Sequence, residues 1–220
     1  MNKIIFSFLV LLVQVAYSQT SKNFGDFSAV KVYDRINVTL VKSSENKIQV
    51  KGDDPDVEIV NKNGELKIRM IPTQLMQGDK AEVTVFYKNI KEVQASQGAK
   101  ISSDDTMEAE KLSVISNEGS VLNIKVNTDF LTAKANSGGV INITGNTENQ
   151  DVLVNSGAFY NGKDLESETV SVTANAGGEA DIFASKSINA KTRAGGTIIV
   201  YGSPKDRNTK NVIGGKIIFK

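Results

Sequence analysis

The chain has 220 residues, 26 basic and 25 acidic side chains, 40% hydrophobic residues, and no cysteine, histidine or tryptophan. Without cysteine no disulfide can staple the fold, so a hydrophobic core and backbone pairing must hold it. The near-zero charge supplies no global field for nucleic acid, and the missing histidine removes the usual general base, the commonest zinc ligand and every Ser-His-Asp or Cys-His arrangement.

Met1-Asn2-Lys3, the apolar run from Ile4 to Val15, and Ala16-Tyr17-Ser18 have the form of a secretory signal peptide cut before Gln19. The apolar run of about 12 residues is short for a bilayer span and polar sequence follows at once, so no membrane span is expected after cleavage. Lipid attachment needs a cysteine that the chain lacks. Residues 1–18 are therefore read as a leader and 19–220 as one exported domain, placed in the periplasm, on the cell surface or outside the cell. Within it, irregular N-terminal strands occupy 24–91 and regular coils 92–220.

From Phe27 to Tyr87 strands are expected over Ala29–Tyr33, Arg35–Val41, Lys47–Lys51, Val57–Val60, Glu65–Met70 and Glu82–Tyr87. Alternation is clear in Ile36/Val38/Leu40 and Leu66/Ile68/Met70. Turns such as Asn63-Gly64 break these strands at uneven intervals. This half forms either irregular first coils or an antiparallel layer over an open end, because an uncovered solenoid end invites edge pairing.

Seven glycines, Gly98, Gly119, Gly138, Gly157, Gly177, Gly195 and Gly214, then recur about every 19 residues. A repeat of this length with strand patterning predicts an all-β parallel β-helix, a β-solenoid built one coil at a time. Three and five residues after the glycine stand apolar residues such as Leu122 and Ile124, Ile141 and Ile143, Ile198 and Val200. Seven and five before it stand Leu112 and Val114, Leu131 and Ala133, Val170 and Val172. Side chains two apart on a strand share a face, so both sets point to a common interior. Glycine marks the bend between them, where positive φ or crowded backbone excludes a Cβ. At about 4.8 Å per coil, seven coils make a rod on the order of 30 Å long.

Two residues before the glycine stand Asn117, Asn136, Asn155 and Asn175, preceded by Ser96 and followed by Arg193. In stacked parallel coils identical amides hydrogen-bond from one coil to the next, so this row is read as a structural ladder.

The chain resembles the putative auto-transporter adhesin family with the head GIN domain, found mainly in exported proteins of Bacteroidota. The resemblance covers about residues 27 to 200. It rests on Phe27-Ser28-Ala29-Val30-Lys31-Val32, Arg35-Ile36-Asn37-Val38-Thr39-Leu40, Ile48-Gln49-Val50-Lys51-Gly52, Gly64-Glu65-Leu66-Lys67-Ile68 and the repeated Asn136-Ser137-Gly138-Gly139, Asn155-Ser156-Gly157 and Asn175-Ala176-Gly177-Gly178. It implies a right-handed parallel β-helix outside the cytoplasm and supplies no catalytic residue.

No catalytic, cofactor-binding or metal-binding residue is assigned. Gly52-Asp53-Asp54-Pro55-Asp56 lacks the alternating ligands and terminal glutamate of an EF-hand loop and is read as a solvated turn. Glu148, Asp151, Asp164, Glu166 and Glu168 form an acidic stretch of connectors, read as solubilising loops, with a site for a cation or a basic partner as the alternative. The last coils are basic through Lys186, Lys191, Arg193, Lys205, Arg207, Lys210, Lys216 and Lys220. That charge either discourages end-to-end association or docks an anionic glycan or lipid head group. Phe159 and Tyr201 fall on outward parity and, with Lys205 and Arg207, are the candidate ligand contacts. The function expected is a non-catalytic exported β-helix, an adhesin or envelope-interaction module whose partner is a surface glycan or envelope protein. A polysaccharide lyase or glycosidase on the same scaffold, and a scaffold for a membrane signalling partner, are the alternatives.

Overall fold

Through the second half of the chain, alternating apolar and polar residues become alternating buried and exposed side chains. In a computed structural model, which describes residues 21–22, 24–51 and 56–220, these stretches are parallel strands stacked coil upon coil in a β-solenoid. The predicted leader and the turn from Gly52 to Pro55 lie outside the described residues.

Eight short strands come first: β1 (Ser21–Lys22), β2 (Ala29–Val32), β3 (Asn37–Lys42), β4 (Lys47–Val50), β5 (Val57–Lys62), β6 (Glu65–Met70), β7 (Glu82–Tyr87) and β8 (Glu92–Ala95). The regular coils follow as β9 (Lys100–Asn117), β10 (Val121–Asn136), β11 (Val140–Asn155), β12 (Phe159–Gly162), β13 (Leu165–Asn175), β14 (Glu179–Phe183), β15 (Ser187–Arg193), β16 (Thr197–Tyr201), β17 (Asp206–Val212) and β18 (Lys216–Phe219). Val121 pairs with Val140, and Val140 with Phe159, in parallel register. The inward positions on both sides of each glycine are buried, from Leu112 and Leu122 to Ile188 and Val200, and they join one continuous core with the N-terminal strands.

Each glycine bend is a four-residue turn in which both central residues have positive φ. Ser137 (51°) precedes Gly138 (73°), and Ala176 (46°) precedes Gly177 (72°). The fourth residue donates its N–H to the first carbonyl, Gly139 to Asn136 at 3.0 Å and Gly178 to Asn175 at 2.9 Å. This is type I′ geometry, where glycine at the second central position avoids the Cβ penalty. The turns also stack, since the N–H of Gly138 donates to the Ser156 carbonyl in the next coil. The second glycine of a doublet has a different cause: a Cβ on Gly139 would run into the Ser116 carbonyl.

Among the described residues the same turn also occurs without glycine. Asp34 (φ 58°) and Arg35 (φ 63°) join β2 to β3, and the Ile36 N–H donates to the Tyr33 carbonyl at 3.2 Å. The bend register therefore extends into the N-terminal half, where no glycine marks it. Asp34 is buried, and its carboxylate accepts the N–H groups of Met70 at 3.1 Å and Met76 at 3.3 Å.

The N-terminal coils are stacked out of chain order. Strand β2 lies parallel between β6 and β8, and β3 lies parallel between β7 and β9. Lys31 spans this arrangement, its Nζ 2.6 Å from Glu65 on one side and 3.2 Å from Glu92 on the other. Outside the layer made by β6 and β7, β5 pairs antiparallel with β6 through the Asn63-Gly64 turn, β4 with β7, and β1 with β4. The first half thus supplies both coils and an antiparallel cover. At the far end Arg207, Thr209 and Asn211 fall opposite Ile188, Ala190 and Thr192, so one wall of the interior turns polar in the last coil.

Candidate functional site

Besides the glycine bend, each regular coil has a second bend, visible where alternation breaks into two exposed residues in succession, as at Asp129-Phe130 and Glu168-Thr169. From there a groove of about 780 Å³ runs along the outer face of the wall that precedes the glycine, across β10, β11, β13, β15 and β17. One row along it is Phe130, Asn149, Thr169, Ser187 and Asp206, each paired in register with the next. The other is Thr132, Asp151, Ser171, Asn189 and Asn208. Strand spacing sets these side chains about 4.8 Å apart along each row. Phe130 stays 48% exposed, with Lys111 Nζ 5.7 Å from its ring centroid. Offset parity marks Phe130 as outward, one position before inward Leu131, yet nothing in the sequence shows that it flanks a groove.

Lys205 and Arg207 both line this groove. Arg207 Nε donates to the Pro204 carbonyl at 3.0 Å, and its guanidinium lies 4.3 Å from the Phe219 ring centroid, over the end of the core. Phe159 and Tyr201 stand on the other wall, in strands that follow the glycine bend. Phe159 is 41% exposed between Val140 and Glu179, whereas Tyr201 is half-buried with Lys220 Nζ 5.5 Å from its ring. The structure brings the two cations together and leaves these two aromatic rings apart from them.

The asparagine side chains at the bends form a continuous chain of hydrogen bonds. Asn175 donates to Asn155 at 2.8 Å, Asn155 to Asn136 at 2.9 Å, Asn136 to Asn117 at 3.0 Å, and Asn117 to Ser96 Oγ at 3.3 Å. A second, exposed row joins Asn142 to Asn123 at 2.7 Å and Asn161 to Asn142 at 2.5 Å.

Inside the coils, Gln150 occupies an inward position where neighbouring coils carry Leu131 and Val170. It accepts the Tyr160 hydroxyl at 2.9 Å and donates to Ser167 Oγ, which donates to the Leu165 carbonyl at 3.1 Å. Burial pushes the Tyr160 phenol well above its ordinary range. On the outside, Asp129, Glu148, Glu166 and Glu168 border a second depression of about 490 Å³, while Asp151 faces the groove. Among the described residues no three acidic side chains converge in a way that could hold a metal ion.

The model of the family described as putative auto-transporter adhesin, head GIN domain, matches residues 26–204. The chain belongs to this family. Among solved structures, the head GIN chain is similar to a putative adhesin from Bacteroides fragilis, with a TM-score of 0.84 at 14% identity over 92% of this chain and 96% of that one. A putative adhesin from Parabacteroides distasonis gives a TM-score of 0.74 at 17% identity, again over 92% and 96%. A protein from the same species described as a putative lipid binding protein gives 0.69 at 12% identity, over 92% and 96%. At these identities the likeness shows a shared fold. No curated protein matches the chain.

Proposed function

We propose that this head GIN protein is an exported, non-catalytic recognition module that binds a component of a bacterial cell envelope through the groove on its outer wall. The observation that carries the reading is the groove itself: two rows of hydroxyl, amide and carboxylate side chains, repeated over five coils on a rigid wall, with an exposed aromatic ring among them. Rigid strands hold such rows at low entropic cost on binding. The adhesin description of the family and of its structural neighbours supports the same reading, and the leader-like first 18 residues support export.

Hydrolysis of a glycan needs two carboxyls about 5–9.5 Å apart. Asp151 and Asp206, the carboxylates in the groove, lie three coils apart, roughly 14 Å at strand spacing. This supports binding over cleavage. The test is co-sedimentation of the mature protein with envelope fragments of a Bacteroidales species. Saturable recovery in the pellet that is lost when Ser171→Trp fills the groove is the expected result. Recovery unaffected by that variant, or none at all, overturns the reading.

A further inference from the structure

We propose that the occupant of this groove is a neutral polysaccharide chain lying along the solenoid axis. The assignment rests on the preceding reading of the groove as the binding surface, and it adds the chemistry of the ligand.

Three observations carry it. First, the groove is electrically balanced: Asp151 and Asp206 stand against Lys205 and Arg207. Arg207 is already committed to the Pro204 carbonyl and the Phe219 ring. A polyanion would find no net positive field here, and a polycation no net negative one. Second, beside these charges the rims offer Thr132, Asn149, Ser171 and Asn189, groups that both donate and accept and so match sugar hydroxyls, which do the same. Exposed Asp151 adds a carboxylate that can accept two hydroxyl protons at once. Their repeat from coil to coil suits a polymer whose own groups recur along its length. Third, Phe130 is the large apolar side chain that stays half-exposed on this wall, and a flat ring beside polar rows is what the apolar face of a pyranose packs against. Between the rows, residues such as Val170 and Ile188 turn their side chains into the core, so the floor is strand backbone already paired with the neighbouring coils, which leaves little for a charged ligand to pair with.

The experiment measures affinity of the mature protein for soluble neutral glycans (cellohexaose, chitohexaose, yeast mannan, laminarin, galactan) and for polygalacturonate and heparin. Binding to at least one neutral glycan is expected, with Kd changing less than about twofold between low and high salt, since no ion pairs are formed. Phe130→Ala and Asp151→Ala should each weaken it about tenfold, with the unfolding midpoint unchanged because both side chains are exposed. Phe130→Tyr, which keeps the ring, should retain affinity. Binding confined to the polyanions and abolished by salt overturns the proposal. So does neutral-glycan binding that survives both Phe130→Ala and Asp151→Ala. Absence of glycan binding while envelope sedimentation persists also overturns it, and in that case the recognition-module reading stands. Loss of both signals removes the two together.

Discussion

Asn155 donates through Nδ2 to Asn136 and accepts through Oδ1 from Asn175, so each of its polar atoms holds one neighbouring coil. Asn155→Ala strands an acceptor above it and a donor below, and is expected to lower stability by about 1–3 kcal/mol in urea unfolding. The row stops at Arg193, which pairs in register with Asn175, and Asn175 Oδ1 is buried without a donor. Arg193→Asn should extend the row and raise stability by about 0.5–1.5 kcal/mol in the same measurement. Two buried tyrosines are expected to lower stability at alkaline pH. Burial and the nearby Asp105 charge push the Tyr87 hydroxyl up to about 12, and burial moves Tyr160 in the same direction. The unfolded chain therefore releases these protons first, near pH 10, so stability is fully present below that pH and falls as pH rises toward 12. Urea midpoints followed from pH 8 to 12 should decline above 10, and the decline should flatten in a Tyr87→Phe, Tyr160→Phe variant even though its baseline is lower. The asparagine row could be read in the sequence because its offset from the glycine is constant. The partnership of Gln150 with Tyr160 could not, because those residues meet across the interior rather than along one strand.

Along the second bend, strand register builds a charge column. Glu110 falls opposite Asp129, Asp129 opposite Glu148, and Glu148 opposite Glu168, as the flanking pairs require. Glu168 then meets Lys186 at 2.5 Å, and the Lys205 N–H donates to the Lys186 carbonyl in the coil beyond. Like charges directly opposite on neighbouring strands repel. Glu148→Gln is expected to stabilise the protein by about 0.2–1 kcal/mol at low ionic strength. The gain should shrink in high salt, which screens exposed charges; thermal melts of both proteins at two salt concentrations check this. Sequence counting places these residues in connectors but not in a column. The coil length between partners is 20 residues at Asn155 and Asn175, 18 at Thr169 and Ser187, and 19 at Ser187 and Asp206. A fixed offset from the glycine holds near the bend and drifts away from it, as where β9 carries two extra residues against β10. The groove shares this fate: Phe130, Asp151 and Asn208 come to line one surface only through the pairing of five strands.

Over the whole molecule, cohesion is graded. Strands β10 and β11 pair along both edges and bury nearly all their inward residues, whereas β17 pairs with β15 alone and is exposed almost throughout. Amide exchange should be slowest in β10 and β11 and fastest among the coils in β17 and β18. Equal protection in β17 measured by mass spectrometry would contradict this account. Out-of-order stacking at the other end adds a folding constraint, because the layer of β2 and β3 is enclosed only after β6 and β7 arrive on one side and β8 and β9 on the other. The amino-acid sequence by itself determined the coil: its period, the bend with positive φ, the inward columns on either side, the asparagine row and the family. These follow from rules that act within a few residues, the alternation of side chains on a strand and the steric cost of a Cβ at positive φ. Only the tertiary structure decided the order of the first coils, the antiparallel cover built from β1, β4 and β5, the glycine-free bend at Asp34-Arg35, the charge column and the groove. Each of these depends on which strand lies beside which. That choice is made by burial and pairing between segments far apart in the chain, and no local pattern encodes it.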